Sequence, residues 1–96
     1  MMCTTIVNQA VIDGSGKGPN GWFRVTGVNV SYDHPFHSPL EHAMNIDFVN
    51  ESEGPGARVA VELSLESARH LVECIQAALA QAEAAGYQDE LASAGP

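Results

Sequence analysis

A chain of 96 residues has room for one domain with a single hydrophobic core, and at this length only about 60–70% of the unfolded surface is buried, so self-association is expected. Twelve acidic residues against four basic ones give a formal charge of −8, and Lys17, Arg24, Arg58 and Arg69 are too scattered to make a basic patch. This balance argues against nucleic acid and anionic membrane surfaces as partners.

No apolar run approaches the ~18 residues a membrane helix needs, and MMCTTIVNQA has no basic stretch followed by an apolar one. A cytoplasmic protein is expected. Cys3 and Cys74 form no CxxC pair, which argues against a disulfide framework or a thiolate zinc knuckle. Cys74 reads as a small semi-buried helix residue.

Residues 4–12, TTIVNQAVI, are rich in β-branched side chains and predict a first strand. DGSGKGPNG, residues 13–21, holds four glycines and a proline and predicts a long, flexible hairpin loop. Its GSGKG is a weak match to a phosphate loop, because Lys17 is followed by Gly18 and Pro19 rather than by Ser or Thr. Closing over a pocket, such a loop would bring Lys17 to a ligand. WFRVTGVNVSY then predicts a second strand, in which Val28, Val30 and Tyr32 alternate against Asn29 and Ser31. Phe23 and Val25 have the opposite parity, and a bulge at Gly27 would account for the slip. Trp22 and Phe23 are either core residues, the commoner role, or an apolar wall for a ligand.

The third break is SYDHPFHSPLEH, residues 31–42, where three of the four histidines fall within nine residues beside Asp33, Glu41 and two prolines. After it, HAMNIDFV alternates His42, Met44, Ile46 and Phe48 against Ala43, Asn45 and Asp47, and predicts a third strand. NESEGPGA is a loop, and RVAVEL alternates Val59, Val61 and Leu63 against Arg58, Ala60 and Glu62 as a fourth strand. From Ser64 the period lengthens to about 3.6, with Leu65, Ala68, Val72, Ile75, Leu79 and Ala82 on one stripe and Leu71 and Ala78 beside it. A helix over Leu65 to Ala85 is predicted, with Ser64 as N-cap, Glu66 at the positive end of the dipole and Gly86 at the stop.

Four strands joined by short loops and followed by one helix predict an α+β two-layer domain, a four-stranded antiparallel sheet with the helix packed on one face. The domain is placed at residues 1–86, and YQDELASAGP, 87–96, reads as a flexible tail. With the helix on the face of Val28, Val30, Met44, Ile46, Phe48, Val59 and Val61, the open face carries Asn29, Ser31, Asn45, Asp47, Arg58 and Glu62, polar enough for water or a wet dimer interface.

Three readings of the histidine segment stay open. As a metal site, His34, His37 and His42 supply three imidazoles for a divalent zinc, iron, nickel or copper ion, with Asp33 or Glu41 as fourth ligand or base. Five residues of extended chain between His37 and His42 span about 16 Å, so convergence needs the Ser38-Pro39 turn to fold back or a second subunit to contribute. As a metal-free acid/base site, a carboxylate of Asp33 or Glu41 fixes the tautomer of His37 or a neighbouring histidine, which shuttles a proton near neutral pH. In the third reading His34 and His37 are exposed loop residues and His42 begins the third strand. His70 reads as surface.

The MCTTI start, GSGKGPNGWF, DHPFHSPLEH, NIDF and ARVAVELSLESAR together resemble a family of small bacterial proteins of unknown function, about this length. Some of these are associated with natural-product gene neighbourhoods. The resemblance covers Met2 to about Ala82 and implies no particular activity, but it makes the glycine and histidine segments shared features of a group.

The sequence therefore predicts a cytoplasmic homo-oligomer, most simply a homodimer, whose histidine segment forms a small-molecule site, metal-dependent or acid/base. Proton transfer, cyclisation or hydrolysis of a small metabolite in secondary metabolism are the reactions in view. Glu41, Asp33 and His37 are the candidate catalytic residues, His34, His37 and His42 the candidate metal ligands, and Lys17, Trp22, Asn45, Asp47 and Arg58 the candidate ligand-binding residues. The alternative is a non-catalytic binding or assembly module that docks a partner protein through the open sheet face and the acidic helix.

Overall fold

A computed structural model describes residues 6–87. The first strand, β1, runs over Ile6–Gly18, β2 over Gly21–Asp33, β3 over Ala43–Val49 and β4 over Arg58–Leu63, and the helix α1 spans Leu65–Ala84. The strands form one antiparallel sheet in the order β1-β2-β3-β4. This is the α+β class that the change of period at Ser64 predicts. The chain divides into two compact units, residues 1–65 and 66–96. Among the described residues no helix is long and apolar enough to cross a membrane. The tail expected from Tyr87 lies, beyond Tyr87 itself, outside the described residues.

Register assigns the faces of the sheet. Val28, Val30 and Tyr32 stand opposite Phe48, Ile46 and Met44, which in turn stand opposite Val59, Val61 and Leu63. Side chains of paired residues share a face, so these nine make one apolar surface. The other face carries Asn29, Ser31, Asn45, Asp47, Arg58 and Glu62, as the alternation requires. Among the described residues, Val25, Ala43 and Ala57 are the buried apolar residues of the sheet unit, and no large side chain is fully buried. The apolar surface is half-exposed.

The glycine segment corrects the sequence reading. Residues 13–18 belong to β1, and the connection to β2 is a two-residue hairpin turn at Pro19 and Asn20, closed by Gly18 opposite Gly21. Proline presets the φ of the first turn position, and Gly21 takes a φ of +106° that other residues rarely adopt. The glycines alternate with Ser15 and Lys17 and so occupy one face. There they leave room for bulky neighbours: a Cβ on Gly16 would lie 3.0 Å from Val25 Cγ2, and one on Gly18 would lie 3.1 Å from the Arg58 carbonyl oxygen. At this end the two outer strands approach each other. Glycine stands here for lack of space, and the segment is ordered because of it.

The bulge also differs in place. Between Val11 and Gly14, β1 sets Ile12 and Asp13 against the single Thr26 of β2. The parity slip that β2 displays at Thr26 and Gly27 is thus opposite an extra residue in its neighbour. Trp22, expected in the core, is 71% exposed, because register pairs it with Lys17, on the face opposite to Phe23 and Val25.

The loop from β3 to β4 is built on Asn50, a buried polar residue. Its Oδ1 accepts from the Ser52 backbone N–H (3.2 Å) and hydroxyl (2.7 Å), its Nδ2 donates to Glu53 (2.9 Å), and a 3-10 turn over Glu51–Glu53 results. The helix ends as its sequence prescribes. Gly86 has φ +88°, Gly86 N–H donates to the Glu83 carbonyl and Tyr87 N–H to the Ala82 carbonyl, both at 3.0 Å, the paired bonds of a Schellman stop.

Candidate functional site

Residues 34–42 belong to no strand or helix, and two prolines remove the N–H groups a ladder would need. Their order comes from β4. Glu62 reaches across and accepts backbone N–H groups from Phe36 (2.6 Å), His37 (3.0 Å) and Ser38 (2.8 Å). Three converging donors form an anion-holding nest, here filled by a side chain of the same chain. The Ser38 and Phe36 N–H bonds, assisted by that of His37 and by the charge of its ring, hold the Glu62 carboxyl below the usual glutamate range.

At the other end of the turn the histidines stack. His34 Nδ1–H donates to the Glu41 carbonyl at 3.0 Å. A carbonyl only accepts, so this bond places the proton on Nδ1 and, in the neutral ring, the lone pair on Nε2. The His34 and His42 rings lie 4.6 Å apart at 28°, and Tyr32 stacks on His42 at 5.6 Å and 25°. Asp33 fixes the entry to the turn, its Oδ1 accepting from the His34 N–H at 2.7 Å.

Behind this edge, on the polar face of the sheet, lies a cavity of about 180 Å³ bordered by Ser31, Asp33, His34, Phe36, Asn45, Asp47, Arg58 and Glu62. Asn45 Nδ2 donates to the Asp33 carbonyl (3.4 Å), which sets the orientation of the amide. Its Oδ1 is then buried without a hydrogen-bond partner, and it is the only such buried side-chain atom among the described residues. An unpaired buried acceptor costs about 1–3 kcal/mol relative to a satisfied one. Arg58 closes the far wall, donating from Nε (3.0 Å) and Nη2 (2.7 Å) to Asp47 Oδ1.

The predicted residues therefore separate into groups. Asp33, His34, Asn45, Asp47 and Arg58 come together at the cavity, and His42 joins them through the stack with His34. Glu41 contributes its main-chain carbonyl. His37 faces a neighbouring groove of about 470 Å³ with Phe36, Ser38, Arg58, Ala60 and Glu62. Lys17 and Trp22 are cross-strand partners at the hairpin end and border a third groove, of about 350 Å³, with Val25, Phe48 and Val59. Among the described residues, no three or more His, Cys, Asp or Glu side chains are grouped so that they would hold a metal ion.

Sequence reasoning assigned no role to Glu62 and Phe36. Glu62 was visible only as one polar residue of an alternating strand, and its partners lie 24 to 26 residues away. No local pattern encodes that contact.

A two-residue hairpin, a short antiparallel sheet, one C-terminal helix and a polar-face cavity edged by a histidine turn define a small α+β protein with one candidate ligand site. The chain belongs to a family of unknown function, DUF6295, whose profile matches residues 2–88. No match to the chain was found among curated proteins or among solved structures.

Proposed function

We propose that the protein binds a small polar metabolite in the cavity between the histidine turn and the Asp47–Arg58 pair. The observation that carries this reading is the unpaired, buried Oδ1 of Asn45, held in place by the bond of the same amide to Asp33. A ligand N–H or O–H placed there removes a standing cost, so binding gains both the new bond and relief of the old penalty. The walls add both signs of charge through Asp47 and Arg58 and a flat apolar surface through Phe36. A molecule with a donor, an acceptor and a compact body fits these walls. His34 supplies the group for proton transfer, so the catalytic form of this reading is acid/base chemistry on the bound molecule. The resemblance to proteins near natural-product genes directs the search to hydroxylated or amide-bearing intermediates.

Titration of ¹⁵N-labelled protein with a panel of such metabolites tests the reading. Binders should shift the Asn45 side-chain amide together with the backbone amides of Ser31, Asp33 and His34. Asn45→Leu should weaken those binders about tenfold or more, a loss of ~1.4 kcal/mol, while leaving the melting temperature unchanged or raised, since an apolar replacement removes an unpaired group. Binders that keep full affinity for Asn45→Leu, or a panel that moves none of these resonances, would sink it.

A further inference from the structure

The cavity on the polar face of the sheet is unbalanced in charge. Asp33, Asp47 and Glu62 border it against one permanently basic side chain, Arg58. Hydrogen bonds from amides disperse the charge of the Glu62 carboxylate without cancelling it, and Arg58 offsets only Asp47. The surrounding chain, at −8, deepens the same potential.

An excess of acid is common on a chain of this charge. What singles out this cavity is that its unmet hydrogen-bonding capacity is mostly of one kind. Asn45 Oδ1, buried and without a partner, is an acceptor. Both Arg58 bonds to Asp47 end on Oδ1, so among the described residues Asp47 Oδ2 takes no hydrogen bond and is a second acceptor. Asn45 and Asp47 stand two apart on β3 and therefore on one face, about 7 Å from each other at the backbone. One tetrahedral nitrogen reaches both side chains. A hydroxyl or a carboxamide meets the need of Asn45 alone, whereas a protonated amine has donors for both acceptors and the charge that the walls lack. An anion would face the excess of acid. Phe36 borders the same cavity, and an aromatic ring attracts a cation. The one donor left over is Arg58 Nη1, which calls for an oxygen on the same ligand. The cavity, about 180 Å³, equals the liquid volume of about six waters at ~30 Å³ each, which limits the ligand to a compact molecule.

We propose that the ligand of this cavity is a compact primary amine, bound as its ammonium between Asn45 Oδ1 and Asp47, with a neighbouring oxygen of the same molecule turned to Arg58. This rests on the ligand reading of the cavity and gives that ligand its chemical class.

Three probes of one skeleton separate charge from shape: phenylalaninol, with an ammonium and a hydroxyl; 3-phenylpropane-1,2-diol, with a hydroxyl in place of the amine; and 3-phenyllactate, an anion. Each is titrated into the ¹⁵N-labelled full chain while the Asn45 side-chain amide is followed. Phenylalaninol should bind about tenfold or more tighter than the diol, and phenyllactate should leave the resonance unmoved. Raising NaCl from about 0.02 M to about 0.5 M should shrink the advantage of the amine over the diol, because only the amine's binding is screened. Asp47→Asn should shrink it too, with the diol's affinity unchanged. Equal affinities for amine and diol, or tighter binding of phenyllactate, overturn the amine class and leave the cavity a ligand site. The same holds if phenylalaninol leaves the Asn45 amide unmoved while a neutral hydroxylated or amide-bearing metabolite moves it. If nothing moves it, the class and the reading beneath it fall together.

Discussion

Two segments of this chain carry residues that disrupt regular structure, four glycines and a proline in one and two prolines in the other, and they end in opposite states. DGSGKGPNG is almost wholly strand, with its turn confined to Pro19 and Asn20, whereas DHPFHSPLEH stays irregular from His34 to His42. In the hairpin the punctuating residues alternate, so glycine falls on every second position and the ladder with β2 runs to Gly18. In the histidine turn, prolines at 35 and 39 break the ladder from both sides, and a distant carboxylate supplies the acceptor in place of a neighbouring strand. Composition marks where something unusual happens, while spacing decides which thing it is.

The strongest way to break the comparison is at Gly18. A Val there would press on the carbonyl oxygens of Arg58 and Gly56, which are main chain and cannot swing aside. A loss of about 1–3 kcal/mol is expected, seen as a fall in melting temperature of about 4–8 °C for each kcal/mol. A melting temperature equal to the native one would mean that the outer strands do not approach at this end. Glu62→Ala acts on the other segment. It should release the Phe36, His37 and Ser38 amides to hydrogen exchange near free-peptide rates while the ladder amides of β2 and β3 stay protected; retained protection at all three would show that the turn orders itself. Gly16→Ala should cost less than Gly18→Val in the same melt, since its Cβ meets the movable Val25 side chain.

Acid offers a milder probe of the same nest. The Glu62 pKa is lowered in the folded chain, so its contribution is fully present above the ordinary glutamate range and is lost as pH falls through the lowered value. The three amides should shift together in an NMR titration, with a common midpoint below the ~4.3 of an ordinary glutamate; a midpoint at or above it would remove the nest from the account. The smallest effect is expected at Gly14, where a Cβ would meet nothing within 4 Å. Gly14→Ala should stabilise by about 0.4–1 kcal/mol through the unfolded chain, which a loop-like, mobile segment would not return.

Much of the fold was legible because it rests on local periods. The alternation of Val28, Val30 and Tyr32, of Met44, Ile46 and Phe48, and of Val59, Val61 and Leu63 assigned three strands and both faces, and the change of period after Ser64 located the helix within a residue of its end. The hairpin was misread because glycine was weighed as a breaker, although Gly14, Gly16 and Gly18 keep a strand's period. The site was legible only in part. Asp33, His34, Asn45, Asp47 and Arg58 could be singled out as polar groups on one face or at its edge, yet that Asn45 would be left with an unpaired acceptor depends on a single weak bond to Asp33, and no residue type announces it. Glu62 escaped because its task is set by segments far along the chain.

The extra residue in β1 bears on what the outer edge of the sheet can pair with. β1 is an outer strand of thirteen residues, and Val7 and Val11 are exposed on it at 53% and 94%. A long, flat, apolar edge is a template on which another chain can add itself, the first step toward fibrils. The insertion at Ile12 and Asp13 interrupts that edge near its middle, bends it, and places there an acidic group bound to Arg24 at 3.0 Å. An edge that is bent and charged near its middle is a poorer template for a further strand than a flat apolar one.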